Sequence, residues 1–281
     1  TSLTKRHNTP MSKISILGCG WLGMPLANAL IANGAVIKGS TTSIGKLKGL
    51  ENLDIQPYCI TLKENAVQGD VDSFLAHAEI LIIAIPPKLR GVEKENFVAK
   101  MEVLLPLIEK TKISKVLFIS STSVYADTNE RITENTFPMP ETEAGKQLVA
   151  VESLLQKNRN FQTTILRFGG LIGENRHPIY FLSGKKNIEN PEAPINLIHQ
   201  KDCIGIILKI IQKGCWGAVF NGVAPFHPTR KAYYKALAKQ LSLSEPEFNE
   251  TDSSVGKTIL SEKVTTDLDY TFLWDGEASL I

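Results

Sequence analysis

Gly18-Cys19-Gly20-Trp21-Leu22-Gly23 is the stretch from which the fold of this chain is read. It follows a β-rich run, Ile14–Leu17, and opens a helical pattern over about Trp21–Asn33. A second β-rich run, Ala35–Gly39, begins about a dozen residues later, the context that makes a glycine-rich turn informative. Each glycine then has a task. Gly18 permits the tight turn, Gly20 lets the backbone approach a pyrophosphate, and Gly23 lets helix and strand pack closely. The pyrophosphate would lie against the N–H groups of the Trp21-Leu22-Gly23 turn and the positive end of the helix dipole. The plainer reading is a strand-to-helix turn built of small residues.

A carboxylate at the end of the second strand would take a ribose 2′-hydroxyl and mark NAD. No acidic residue occurs before Glu51. The position holds Gly39 followed by Ser40, Thr41, Thr42 and Ser43, with Lys38, Lys46 and Lys48 nearby. Hydroxyls and ammonium groups suit a 2′-phosphate, so NADP is expected over NAD, with NAD still possible. A polar loop with relaxed preference is the alternative.

Outward from this turn, short β-rich runs alternate with amphipathic helical runs. Strands are expected at Ile55–Ile60 (weakened by Pro57), Ile80–Ile85, Val116–Ser120 and Thr163–Phe168. Helices are expected over about Val71–Ala78, Val92–Lys110 and Glu141–Lys157. Strands apolar on both faces and separated by helices predict an α/β fold, a doubly wound parallel sheet of the Rossmann type. After Gly173 the rhythm breaks, and Glu174–Pro194 reads as irregular. A helix over Lys201–Lys213 and a strand at Ala218–Asn221 restore it, and an amphipathic helix follows at Thr229–Leu241. The expected organisation is a dinucleotide-binding domain over residues 11–172, rejoined by about 197–222, with a small substrate lobe from 173–196 and 223–281. Residues 1–10 are polar and basic, without the apolar core of a signal peptide, and read as a tag or disordered arm before Met11.

A formal charge of +2 is too mild to argue for nucleic acid or an anionic membrane. No apolar run approaches the roughly 20 residues that span a bilayer. Four scattered cysteines (Cys19, Cys59, Cys203, Cys215) lack metal or disulfide-framework spacing, which fits a reducing, cytoplasmic compartment.

Four later segments, in order, resemble the extended short-chain dehydrogenases/reductases, the NAD(P)-dependent epimerase/dehydratase family. Ser120-Ser121-Thr122-Ser123-Val124-Tyr125 is similar to its SS-x-x-VYG segment. Leu166-Arg167-Phe168 with Gly170 and Gly173 resembles the strand entering its YGP turn. Asn196-Leu197-Ile198-His199-Gln200-Lys201-Asp202 resembles N-x-IH-x-x-D, and Phe220-Asn221-Gly222 the strand that follows. The GxGxxG spacing and Ala84-Ile85-Pro86-Pro87 are similar to the shorter, atypical, YeeZ-like group of sugar-nucleotide epimerase-like proteins. The resemblance implies that Ala84 and Pro86 run along the cofactor. It also implies a sugar-nucleotide or similar polyol substrate, no metal, and a possible homodimer through the helices over Val92–Lys110 and Glu141–Lys157.

The family's chemistry uses a Ser/Thr hydroxyl, a tyrosine acid/base and a lysine one helical turn after it. Ser121 matches the hydroxyl and Lys146 the lysine, but Thr142 stands where the tyrosine is expected. A threonine hydroxyl is a poor proton shuttle, and Thr142 also suits a helix start. Glu141, Glu143, Tyr125 or a residue of the C-terminal lobe could replace the tyrosine. Arg167, Arg176 and His199 are weaker substrate candidates. His199 could instead bond backbone at its helix start, and Arg167 a buried carbonyl. Two readings follow: an NADP-dependent oxidoreductase, epimerase or dehydratase, or an NADP(H)-binding sensor without turnover.

Overall fold

The computed structural model describes residues 12–88 and 94–277. The residues preceding Ser12, which include the expected tag, and the expected first turn of the Val92–Lys110 helix lie partly or wholly outside them. Seven strands form one parallel sheet: β1 (Lys13–Leu17), β2 (Val36–Thr41), β3 (Gln56–Cys59), β4 (Ile80–Ile83), β5 (Lys115–Ser121), β6 (Gln162–Phe168) and β7 (Val219–Gly222). Their spatial order is β7-β6-β5-β4-β1-β2-β3. The chain runs outward from β1 through β3, then returns to β4 on the other side, so a crevice opens beyond the carboxyl ends of β1 and β4. β3 lies at the sheet edge, where the missing N–H of Pro57 is tolerated.

Every residue of β4 is buried, as expected of a strand covered on both faces. Alternate residues serve opposite layers. Ile80 and Ile82 pack with Leu26 and Leu30 of α1 (Gly23–Ala32). Leu81 and Ile83 join the layer that holds Met101 and Leu104 of α2 (Phe97–Glu109), with Val151 and Leu155 of α3 (Glu143–Gln156). Ile206, Ile207 and Ile210 of α4 (Gln200–Lys213) belong to the α1 side. A third apolar cluster joins Ile179, Leu182, Trp274 and residues of α5 (Arg230–Gln240). The buried Asp202 carboxylate straps the C-terminal segment to α4: it accepts from Tyr270 Oη at 2.7 Å, Leu273 N at 2.7 Å and Trp274 N at 3.1 Å.

The expectation of irregular structure over Glu174–Pro194 needs one correction. Pro178–Leu182 is a short helix, because His177 Nδ1 accepts from Ile179 N at 3.0 Å and Pro178 occupies the first turn. With Nδ1 an acceptor, the neutral ring donates from Nε2 to Tyr233 Oη, 3.0 Å away. Burial pushes the His177 pKa down to about 4. Unfolded histidine titrates near 6.5, so between those values the unfolded chain binds a proton that the folded chain refuses. Stability therefore falls as pH is lowered from about 6.5 towards 4, by on the order of 3 kcal/mol at the end of that window. Urea midpoints at pH 7 and pH 4.5 check this: His177→Phe should flatten the dependence. A slope unchanged in the variant would assign it elsewhere, since burial of His227 acts in the same direction.

Candidate functional site

A cleft of about 400 Å3 opens at the carboxyl ends of β1, β2 and β4. Its walls include Gly18, Gly20, Ser40, Thr41, Thr42, Ala84 and Pro86, which the sequence singles out, together with Lys46, Lys63, Lys88, Glu95 and Lys100. The three motif glycines do different things. Gly18 adopts φ +103°, and a Cβ there would lie 2.7 Å from Ile85 Cγ2. A Cβ on Gly23 would lie 2.1 Å from Gly18 O, so α1 sits directly on the turn. A Cβ on Gly20 would meet nothing within 4 Å. No neighbour in the protein therefore demands glycine at position 20 on grounds of space. What its bare backbone leaves open is the cleft.

The N-terminus of α1 is electrostatically open. Leu22 at the N-cap supplies no side-chain bond and no acid stands in the first turn. The other four helices of ten residues or more among the described residues are each capped by a side chain, Asn96, Thr142, His199 or Thr229. Uncapped N–H groups and the helix dipole favour an anion at α1. Trp21 and Leu22 contribute position rather than wall. Leu22 is buried, while Trp21 packs its indole against Gly173 and holds Gln200 through its carbonyl at 2.7 Å.

One expectation about β2, that Lys38 serves the cleft, is corrected, while Ser40 lines the cleft and also braces the turn. Ser40 is buried and its Oγ accepts from Gly18 N at 2.9 Å, so the hydroxyl braces the glycine turn from within the wall. Lys38 does not reach the cleft: it shares a face with Ser40 but lies nearer the amino end of β2, and it donates to the carbonyls of Ser73 at 2.6 Å and Ala76 at 2.8 Å. Lys48 is exposed and pairs with Glu51. Of those three lysines, Lys46 alone lines the cleft. Lys63, Lys88 and Lys100 were not legible as partners, since they come from three segments joined only by the fold. The Lys100 ammonium bonds Glu95 and holds its carboxyl below the usual carboxylate range.

At the end of β5, Ser121 is half-buried and its Oγ accepts from Ser123 N at 3.1 Å. Gly145 lets α3 press onto this turn: a Cβ there would lie 2.4 Å from Ser123 O. Lys146 follows on the exposed face of α3 and makes no ion pair among the described residues. Thr142 is the N-cap, with Oγ1 accepting from Gly145 N at 3.1 Å and its carbonyl from Lys146 N at 3.0 Å. Its oxygen completes the helix start, which accounts for a threonine there without assigning it a proton.

No protein-family profile matches the chain. Protein YeeZ of Escherichia coli is 34% identical over 265 residues, covering 93% of this chain and 96% of YeeZ. The chain belongs to the YeeZ family. Solved structures share the fold at lower identity. A Methylobacillus flagellatus protein described as an NAD-dependent epimerase/dehydratase superposes with TM-score 0.72 at 24% identity, covering 94% of each chain. UDP-glucuronic acid 4-epimerase of Bacillus cereus, in complex with UDP-glucuronic acid and NAD, gives 0.77 at 20% identity, covering 94% of this chain and 95% of that one.

Of the remaining candidates in this YeeZ-family chain, Arg167, Tyr125 and His199 are enclosed, and Arg176 is exposed beside the glycine turn. Arg167 is 5% exposed. Its Nε donates to Glu152 Oε1 at 3.0 Å, its Nη2 to Oε2 at 2.5 Å, and its Nη1 to Tyr125 Oη at 2.7 Å. A substrate phosphate cannot reach it there. Tyr125, a possible substitute acid/base, is equally enclosed: it donates to Asn221 Oδ1 at 2.8 Å, and burial pushes its pKa up, away from a shuttle's working range. His199 is buried at the N-cap of α4, Nδ1 accepting from Lys201 N at 3.1 Å, which is the structural of its two readings. Arg176 is exposed, with its guanidinium 4.5 Å above the Trp21 ring. No helix among the described residues is long and apolar enough to cross a membrane.

Proposed function

We propose that this chain binds NADP(H) in the cleft over Gly18–Gly20 and acts as an oxidoreductase, epimerase or dehydratase on a sugar nucleotide or similar polyol. The observation that carries the cofactor reading is Gly20, a glycine with free space over it beside the uncapped start of α1. Four lysines and one glutamate among the lining residues favour the more highly charged dinucleotide. Thr41, Thr42 and Lys46 stand at the end of β2, where a ribose phosphate would lie. The bound nicotinamide would supply hydride transfer at carbon. On this reading Lys146 would hold the adjoining ribose, and Ser121 would orient a substrate hydroxyl or carbonyl. The sugar-nucleotide class is supported by the fold shared with the B. cereus epimerase.

The second reading, an NADP(H) sensor without turnover, is favoured by one observation. Thr142 caps a helix and Tyr125 is buried, so neither supplies the missing acid/base. Calorimetric titration with NADPH and NADH tests the cofactor. Failure of both to bind at millimolar concentration would sink it, and equal affinity would sink the NADP preference. Lys46→Glu is expected to weaken NADPH relative to NADH by on the order of tenfold, as removal of one charged hydrogen bond implies. NADPH consumption over a panel of carbonyl substrates separates enzyme from sensor.

A further inference from the structure

We infer that the Glu95–Lys100 pair reads the hydrogen-bonding edge of the adenine ring and makes the cleft selective for an adenine dinucleotide over its hypoxanthine counterpart. The inference rests on the dinucleotide reading above. With the pyrophosphate at Gly20 and the ribose at Thr41–Thr42, the base reaches the far end of the cleft. There Ile60, Leu62, Ile85 and Phe97 supply apolar surface suited to a flat ring. Into this end project the Lys100 ammonium and the Glu95 carboxylate, with Lys63 and Lys88 near enough to act on the same carboxylate. The Lys100 side chain is 10% exposed and that of Glu95 30% exposed, and they bond each other. Such a pair is costly in an apolar wall unless its remaining sites are satisfied. One shared bond leaves the ammonium two further donors and the carboxylate several acceptor sites.

Adenine offers what the pair lacks. Its N6 amine donates and its N1 accepts, side by side on one edge. Hypoxanthine reverses the order, presenting a carbonyl at C6 and an N–H at N1. A donor and an acceptor fixed by α2 and its N-terminal approach would match the first order and oppose the second. The α2 start is well held, with Asn96 Oδ1 accepting from Ala99 N at 3.0 Å and Gln147 Oε1 from Phe97 N at 2.8 Å. That anchoring keeps the pair from exchanging places.

The test is calorimetry on the intact chain with NADPH and with nicotinamide hypoxanthine dinucleotide phosphate, reduced form, repeated on Glu95→Gln. The wild type should bind the hypoxanthine analogue on the order of tenfold more weakly, the cost of opposing one paired contact at a base edge. Glu95→Gln supplies an amide donor that can serve the C6 carbonyl, so the gap should narrow to within about threefold. Tight NADPH binding with no discrimination by the wild type overturns the inference and leaves the cofactor site standing. A gap unchanged in Glu95→Gln overturns it too. Binding of neither dinucleotide removes the underlying site as well. Should the variant fail to fold, the wild-type comparison decides alone.

Discussion

Gly20→Val abolishes measurable NADPH binding, a loss of at least about a hundredfold, while the melting temperature stays within a few degrees of wild type. The asymmetry comes from where the added atoms go. At position 20 a Cβ meets nothing within 4 Å, so the branched side chain enters the cleft where a pyrophosphate would approach the backbone. The same change at Gly23 would drive a Cβ to 2.1 Å from Gly18 O and prise α1 off the turn. Gly23→Val should therefore lose stability and binding together. Calorimetry beside thermal melts separates the two. A Gly20→Val protein that is folded and binds NADPH normally would reduce the turn to scaffolding.

Glu152→Ala costs about 3–5 kcal/mol of folding stability, because it leaves the Arg167 guanidinium buried without its counter-charge. The carboxylate also accepts from Ser120 Oγ at 2.6 Å, so a second buried donor is stranded. Tyr125→Phe is milder, on the order of 1–3 kcal/mol, since it removes one neutral partner from Arg167 and Asn221. Tyr125→Phe should leave NADPH affinity unchanged, because the network lies behind β5 and β6 and contributes nothing to the cleft wall. Urea unfolding and titration of both variants test this. A catalytic tyrosine would show the opposite pattern, with stability held and turnover lost.

Much of this site was legible in the chain. The glycine spacing, the β2 end and Ala84–Pro86 converge on one cleft because each follows directly from a strand, and in a parallel sheet consecutive strands bring their carboxyl ends to one side. The strands themselves were legible from uninterrupted apolar runs. The Tyr125–Arg167–Glu152 network was half legible. Arg167 stands in an apolar strand, and Glu152 shares a helical face with Leu148, Val151 and Leu155, so a buried pair could have been sought between them. Nothing local says that Lys38 turns from the cleft while Lys63, Lys88, Glu95 and Lys100 enter it. Position along β2 settles the first, and loops from separate parts of the chain together with the first turn of α2 settle the others.

By itself the sequence determined the α/β class, the glycine turn and the missing tyrosine, because periodicity, glycine spacing and residue identity are properties of neighbours along the chain. Tertiary structure alone decided which polar groups face the cleft and which are consumed by packing. Ser40, Thr142, Arg167 and His199 all look available in the sequence. In the fold each is spent on a backbone N–H or a buried counter-charge: Thr142 closes an exposed helix start, while the enclosed Ser40, Arg167 and His199 must find partners where the packing provides them.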